Sequence, residues 1–281
     1  MKILLALDPS SAGEAALRET VARPWPAGST FEVVSVVEPS HLWTSSEVVQ
    51  QAARNAERLV RLAIEQLHAK GHTVTGAALS GDPKTLILER AKSLVAGFII
   101  VSAHGAISSA VVRYAPCSVE IARARIRTQT PGNWKVLLAT DGSEYSQRAA
   151  QSIAERPWAS GTEFRVLSVV EFILPATRAL FEPPFLDASF IETARAEAMK
   201  RSQEAIALAR ETLSSASLDA SESISVLLDT PKAIILDEAV LWGADLIVLG
   251  SHGRHGVERF PLGSVSETVA AHAECSVEVI R

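Results

Sequence analysis

The residues best suited to chemistry in this chain are Gly250-Ser251-His252-Gly253, followed after nine intervening residues by Gly263-Ser264. Glycines let a backbone come close to a ligand, and the start of a helix offers unpaired N–H donors at the positive end of its dipole. Ser264 adds a hydroxyl at that start. Such a group serves to hold phosphate rather than to break bonds. The chain has no Gly-x4-Gly-Lys-[Ser/Thr] loop, so a P-loop nucleotidase is excluded as a motif. No Ser-His-Asp set or His-Glu-x2-His pattern stands out, and nothing marks a catalytic base or an activated water.

The elements around these residues read as alternating strands and helices. Lys135 to Thr140 is a short apolar run ending at Asp141-Gly142-Ser143, a buried strand that passes into a helix ending near Glu155. Phe164 to Val170 is a second strand, and a helix follows from about Asp187 to Leu213. Ile224 to Leu228 is read as the third strand. Pro231 opens a helix at a position where proline is tolerated. Ala244 to Leu249 is the fourth strand, Val265 to Ala273 is helical, and Val277 to Ile280 is the last strand. Strict alternation of this kind implies a parallel sheet with right-handed crossovers and helices on both faces. Ligands then bind beyond the carboxyl ends of the strands, where the strand order switches.

The same series occurs twice. Lys2 to Glu38 aligns without gaps on Lys135 to Glu171, with 17 of 37 positions identical. Asp8 falls on Asp141, and Arg23-Pro24-Trp25 on Arg156-Pro157-Trp158. Gly81 to Gly105 aligns on Asp229 to Gly253, and Cys117 to Glu120 on Cys275 to Glu278. The Pro-Gly stretch 128–133 breaks regular structure and puts the boundary near residue 130. The expected organisation is α/β, with two tandem doubly wound domains at 1–127 and 134–281. Each should carry a five-stranded parallel sheet flanked by helices.

Only the second domain keeps the glycine-rich group whole. The first reads Ser102-Ala103-His104-Gly105 and runs straight into Ala106-Ile107, with Ser102 in the place of Gly250 and the stretch 254–263 missing. The first domain is therefore expected to be structural or regulatory, with Asp8 as a helix cap. Asp141 stays open between nucleotide contact and helix N-capping.

A net charge of -5 argues against a nucleic-acid partner. Arg123, Arg125 and Arg127 read as a solvated edge and linker. No run approaches the roughly 18 apolar residues that a membrane span needs. The two cysteines lack metal-ligand spacing, which favours a reducing, cytoplasmic setting and a place in the core. Trp25 and Trp158 are expected to plug the core, and His104 and His252 to pack or hydrogen-bond at strand ends. Arg254 and His255 could meet phosphates or solvent.

Gly-x2-Gly-x9-Gly-Ser behind the Ala-Asp-Leu-Ile-Val strand resembles the ATP-binding signature of the universal stress protein family, and the likeness extends over nearly the whole chain. It implies the fold of the adenine nucleotide alpha hydrolases. It also implies adenine and ribose near Ala139, Thr140, Asp141 and Val169, with phosphates at Leu249, Gly250, Gly253, Gly263, Ser264 and Val265. Ala139 stands where the family more often has proline. The family's domains pair through strands like Val119 to Ala122 and Val277 to Ile280, which implies an internal pseudo-dimer and allows a homodimer. The expected function is a ligand-linked stress-response or signalling protein that binds one ATP, with Mg2+ on its phosphates. The alternatives are a nucleotide-free interaction module and a slow ATP hydrolase.

Overall fold

A computed structural model describes residues 1–39, 46–103, 105–123, 133–170, 188–225, 230–254 and 261–281. The first repeat contributes β1 (Lys2–Ala6), α1 (Ser11–Ala22), β2 (Thr30–Val37), α2 (Ser46–His68), β3 (Thr73–Ser80), α3 (Pro83–Leu94), β4 (Phe98–Ser102), α4 (Gly105–Tyr114) and β5 (Ser118–Ala122). The second contributes β6 (Lys135–Ala139), α5 (Glu144–Ala154), β7 (Glu163–Val169), α6 (Ala188–Ser215), β8 (Ala220–Ser225), α7 (Pro231–Trp242), β9 (Leu246–Gly250), α8 (Ser264–His272) and β10 (Ser276–Ile280).

Continuous apolar runs such as Ile3-Leu4-Leu5-Ala6 are needed because helices cover both faces of the sheet. Ile3 and Leu5 pack with residues of α1 and α2, whereas Leu4 and Ala6 pack with α3 and α4, as the two-residue period of a strand requires. Within each repeat all strand pairings are parallel, in the orders β3-β2-β1-β4-β5 and β8-β7-β6-β9-β10. The order switches direction between β1 and β4, and again between β6 and β9.

The two halves join through an antiparallel pair, β5 with β10, so the described residues form one ten-stranded sheet. Glu120 and Glu278 face each other in this register. The Arg23 guanidinium donates to Glu120 Oε2 and Glu278 Oε1, both at 2.6 Å, and Arg156 donates to Glu278 Oε1 at 2.5 Å. All four side chains are buried. Burial opposes the charge on Arg23, yet the carboxylates of Glu120, Glu278 and Glu19 overcome it and raise its pKa.

The repeated Arg-Pro-Trp turn makes this arrangement possible. Trp25 Nε1 donates to the Thr20 carbonyl and Trp158 Nε1 to the equivalent Ile153 carbonyl, closing the ends of α1 and α5. Each turn then aims its arginine at the junction. Trp25 is a buried plug edge-on to Phe31, while Trp158 is only half-buried beside Phe164.

Three local expectations change. The third strand of repeat two runs Ala220–Ser225 rather than from Ile224 to Leu228, and residues 226–229 lie outside the described residues. β8 is an edge strand that shows Ser221 and Glu222 to solvent, so it lacks the apolar run used to find strands. Arg123 is no solvated edge residue. Its backbone N–H donates to Ser276 Oγ at 3.0 Å and its guanidinium to the Cys275 and Ala270 carbonyls, while Arg125 and Arg127 fall outside the described residues. Ser10, not Asp8, caps α1.

Candidate functional site

The site of repeat two lies where the carboxyl ends of β6 and β9 diverge. Ala139 pairs with Leu249 in the parallel register, so the residues that follow each strand emerge side by side. From β6 come Thr140, Asp141 and the Gly142-Ser143 turn, with Gly142 at φ +77. From β9 come Gly250, Ser251, His252, Gly253 and Arg254.

Asp141 ties the two together. Its Oδ1 accepts from the Ser143 N–H at 3.0 Å and its Oδ2 from the Arg254 N–H at 2.8 Å. Burial works against an ionised carboxyl here, but the hydrogen bonds from Ser143 and Arg254 hold its pKa below the usual carboxylate range. The capping alternative for Asp141 does not hold, because Ser143 caps α5 by accepting from the Ser146 N–H. Asp141 instead makes a turn to its second neighbour and bridges to the β9 loop, the short-range bonding for which Asp is suited.

The glycines are required by the chain's own packing. A Cβ on Gly250 would stand 2.6 Å from the Tyr145 carbonyl carbon, and one on Gly253 would stand 2.7 Å from Asp141 Oδ2. Gly263 is the N-cap of α8 and gives no side-chain bond to its first turn, whose N–H groups lack helical acceptors. Its own N–H donates to the Ser251 carbonyl at 2.8 Å. Ser264 is exposed in that first turn, and Val265 is half-buried behind it.

Thr140 is buried, and its Oγ1 accepts from the Gly142 N–H and bonds Ser146 Oγ, so its hydroxyl belongs to the turn. Leu249, Ala139, Val169 and Val265 share the apolar face under α7 and α8. Of the loop residues 254–262, those at 255–260, His255 among them, lie outside the described residues, as does His104. His252 packs tilted against Tyr145, with ring centres 5.1 Å apart, and meets Ser251 Oγ through Nδ1 at 3.2 Å, a packed strand-end histidine.

One contributor escaped the sequence reading. Ser266 is buried and donates to the Ser251 carbonyl at 2.8 Å, locking α8 to the end of β9. The serine at the equivalent place in repeat one, Ser108, was the available signal. In repeat one the Ser102 hydroxyl donates to the Asp8 carboxylate, and α4 begins at Gly105, three positions after the end of β4. Cys117 and Cys275 are both buried and not joined in a disulfide, and burial pushes the Cys117 thiol up to about 11. No described helix is long and apolar enough to cross a membrane.

The model of the universal stress protein family matches this chain twice, over residues 1–123 and 133–281. The chain belongs to the universal stress protein family. A universal stress protein of Thermus aquaticus is 32% identical over 146 residues, covering 52% of this chain and 97% of that protein. Universal stress protein YxiE of Bacillus subtilis is 30% identical over 147 residues, covering 52% of this chain and 98% of that protein. Relatives of this kind therefore align with about half of the chain. Among solved structures, a universal stress protein from Archaeoglobus fulgidus superposes with a TM-score of 0.65 at 19% identity, covering 100% of this chain and 96% of that one. That likeness carries the fold: a mostly parallel sheet flanked by helices, built from two repeats.

Proposed function

We propose that this universal stress protein binds one adenine nucleotide per chain, ATP first among them, in the crevice between β6 and β9. The observation that carries the reading is the pairing of an ionised Asp141 with the uncapped first turn of α8 across one crevice. A carboxylate at the strand end accepts from ribose hydroxyls, while the N–H groups after Gly263 donate to phosphate oxygens. Half-buried Val169, beside Ala139, would flank the base, with Leu249 and Val265 next to the phosphates. Among the described residues no group of three His, Cys, Asp or Glu side chains could hold a metal, so Mg2+ would travel on the phosphates.

Repeat one would take no nucleotide, since its Ser102–Asp8 bond and the immediate start of α4 fill the same place. The β5–β10 pairing supports reading the repeats as an internal pseudo-dimer, and the ligand would act by ordering the loop after β9 and biasing partner binding. Buried cysteines outside any disulfide suit the reducing cytoplasm.

The test is nucleotide released from purified, denatured protein, followed by titration of ATP into parent and Gly263→Asp protein. One adenine nucleotide per chain, lost in the variant, is the expected result. Two per chain would overturn the inactive role of repeat one. Absence of both bound nucleotide and titratable binding would leave a nucleotide-free interaction module.

A further inference from the structure

The arginines that follow the two central strands bracket α8, whose first turn forms the proposed phosphate cradle: Arg123 bonds its last turn and Arg281 the loop before it. Arg281, after β10, donates through Nη2 to the carbonyls of Val112 at 2.6 Å and Arg113 at 3.2 Å, at the end of α4 in repeat one. Arg123, after β5, does the same to the Ala270 carbonyl near the end of α8. Val112 and Ala270 hold equivalent places in the two repeats. The backbone N–H groups also match, Arg281 donating to Ser118 Oγ at 3.2 Å and Arg123 to Ser276 Oγ at 3.0 Å.

The symmetry fails in one arm. Arg123 Nη1 reaches the Cys275 carbonyl, but Arg281 Nη1 reaches the carbonyl of Pro261 at 3.1 Å. Pro261 lies two residues before Gly263, in the stretch that repeat one lacks. Arg113 of α4 adds an ion pair with Glu267 in the first turn of α8. The last loop segment before the cradle is thus tied, through one planar guanidinium, to a helix of the other repeat.

We propose that Arg281 is a positioning residue for the phosphate loop, holding Pro261 and the first turn of α8 against α4 so that repeat one sets the geometry of the nucleotide site in repeat two. This rests on the nucleotide-binding reading for its consequence, but not for its geometry. Donor N–H groups favour an anion most when they are already placed before it arrives. A guanidinium fork can serve the α4 carbonyls and Pro261 at once, which an ammonium cannot do. The degenerate repeat then has a use: it is the wall that the working loop leans on.

Hydrogen–deuterium exchange of the nucleotide-free full chain tests the geometry, and ATP titration tests its consequence. Arg281→Ala should speed exchange at 262–266, where the Gly263 amide donates to the Ser251 carbonyl, while leaving the amides of β6 and β9 protected, with Arg281→Lys in between. ATP binding should weaken about tenfold, the worth of one charged hydrogen bond. Unchanged exchange at 262–266 overturns the inference, whether or not ATP binds. A parent protein that binds no ATP, but whose exchange responds to Arg281→Ala, removes the functional reading and leaves the clamp in place. If Arg281→Ala loosens the central strands as well, Arg113→Ala decides: local acceleration at 262–266 supports the clamp, and none overturns it.

Discussion

Glu120 and Glu278 stand opposite each other across the antiparallel β5–β10 pair, and a single guanidinium, that of Arg23, donates to both at 2.6 Å. Like charges directly opposite in a sheet repel, so this junction holds only while its arginines are present. Arg23→Ala or Arg156→Ala strands a buried carboxylate, and each is expected to lower stability by about 3–5 kcal/mol. Urea unfolding at neutral pH measures the loss. A change within experimental error in both variants would show that the cluster does not hold the halves together.

The two glutamates should not respond alike. Burial pushes the Glu120 carboxyl up despite Arg23, whereas Arg156 and Arg23 outweigh burial at Glu278 and hold it down. A carboxyl whose charged form burial disfavours gives up less when the charge is removed. Glu278→Gln is therefore expected to cost about 3 kcal/mol, since it leaves Arg156 and Arg23 short of a buried counter-charge, and Glu120→Gln to cost less. Equal losses in urea unfolding would contradict this division of charge.

The depressed pKa of Asp141 gives a pH signature. A carboxyl whose folded value lies below its unfolded value, about 3.9, contributes stability that is present above that value and fades as pH falls through the folded one. The stability gap between the parent and Asp141→Asn should be widest at neutral pH and close on acidification below the ordinary carboxylate value. Thermal unfolding of both proteins across that range checks it, and a gap that widens in acid would reverse the sign.

Gly250 and Gly253 should separate stability from binding. At Gly250 the obstacle is the backbone of Tyr145 and Ser146, which cannot step aside, so Gly250→Ala is expected to cost about 1–3 kcal/mol. At Gly253 the obstacle is only the Asp141 carboxylate, which can rotate. Gly253→Ala should therefore unfold later than Gly250→Ala while losing the Arg254–Asp141 bond and the nucleotide. Chemical denaturation and ATP titration read the two effects separately.

Val95 ends α3 in the left-handed region, at φ 52, where the equivalent residue after α7 is Gly243 at φ 76. A β-branched side chain is strained there, and Val95 is exposed, so little packing offsets the cost. Val95→Gly is expected to stabilise the protein by about 1 kcal/mol. A fall in melting temperature would contradict it.

The sequence by itself determined the duplicated α/β organisation, the strand-to-helix alternation and the glycine spacing that mark the crevice. These are local periodicities and turn residues, and each is written in consecutive positions. It misplaced β8, because an edge strand need not be apolar, it credited Asp8 with the cap that Ser10 makes, and it left open for Asp141 a cap that Ser143 makes. Any short polar residue at a helix start satisfies the same pattern. Only the tertiary structure decided that Arg23 and Arg156 meet Glu120 and Glu278, that Ser266 locks α8 to β9, and that Arg281 reaches Pro261. Those partners lie in different elements, and in most cases far apart along the chain. Strand register and helix packing bring them together, and no spacing in the sequence encodes either.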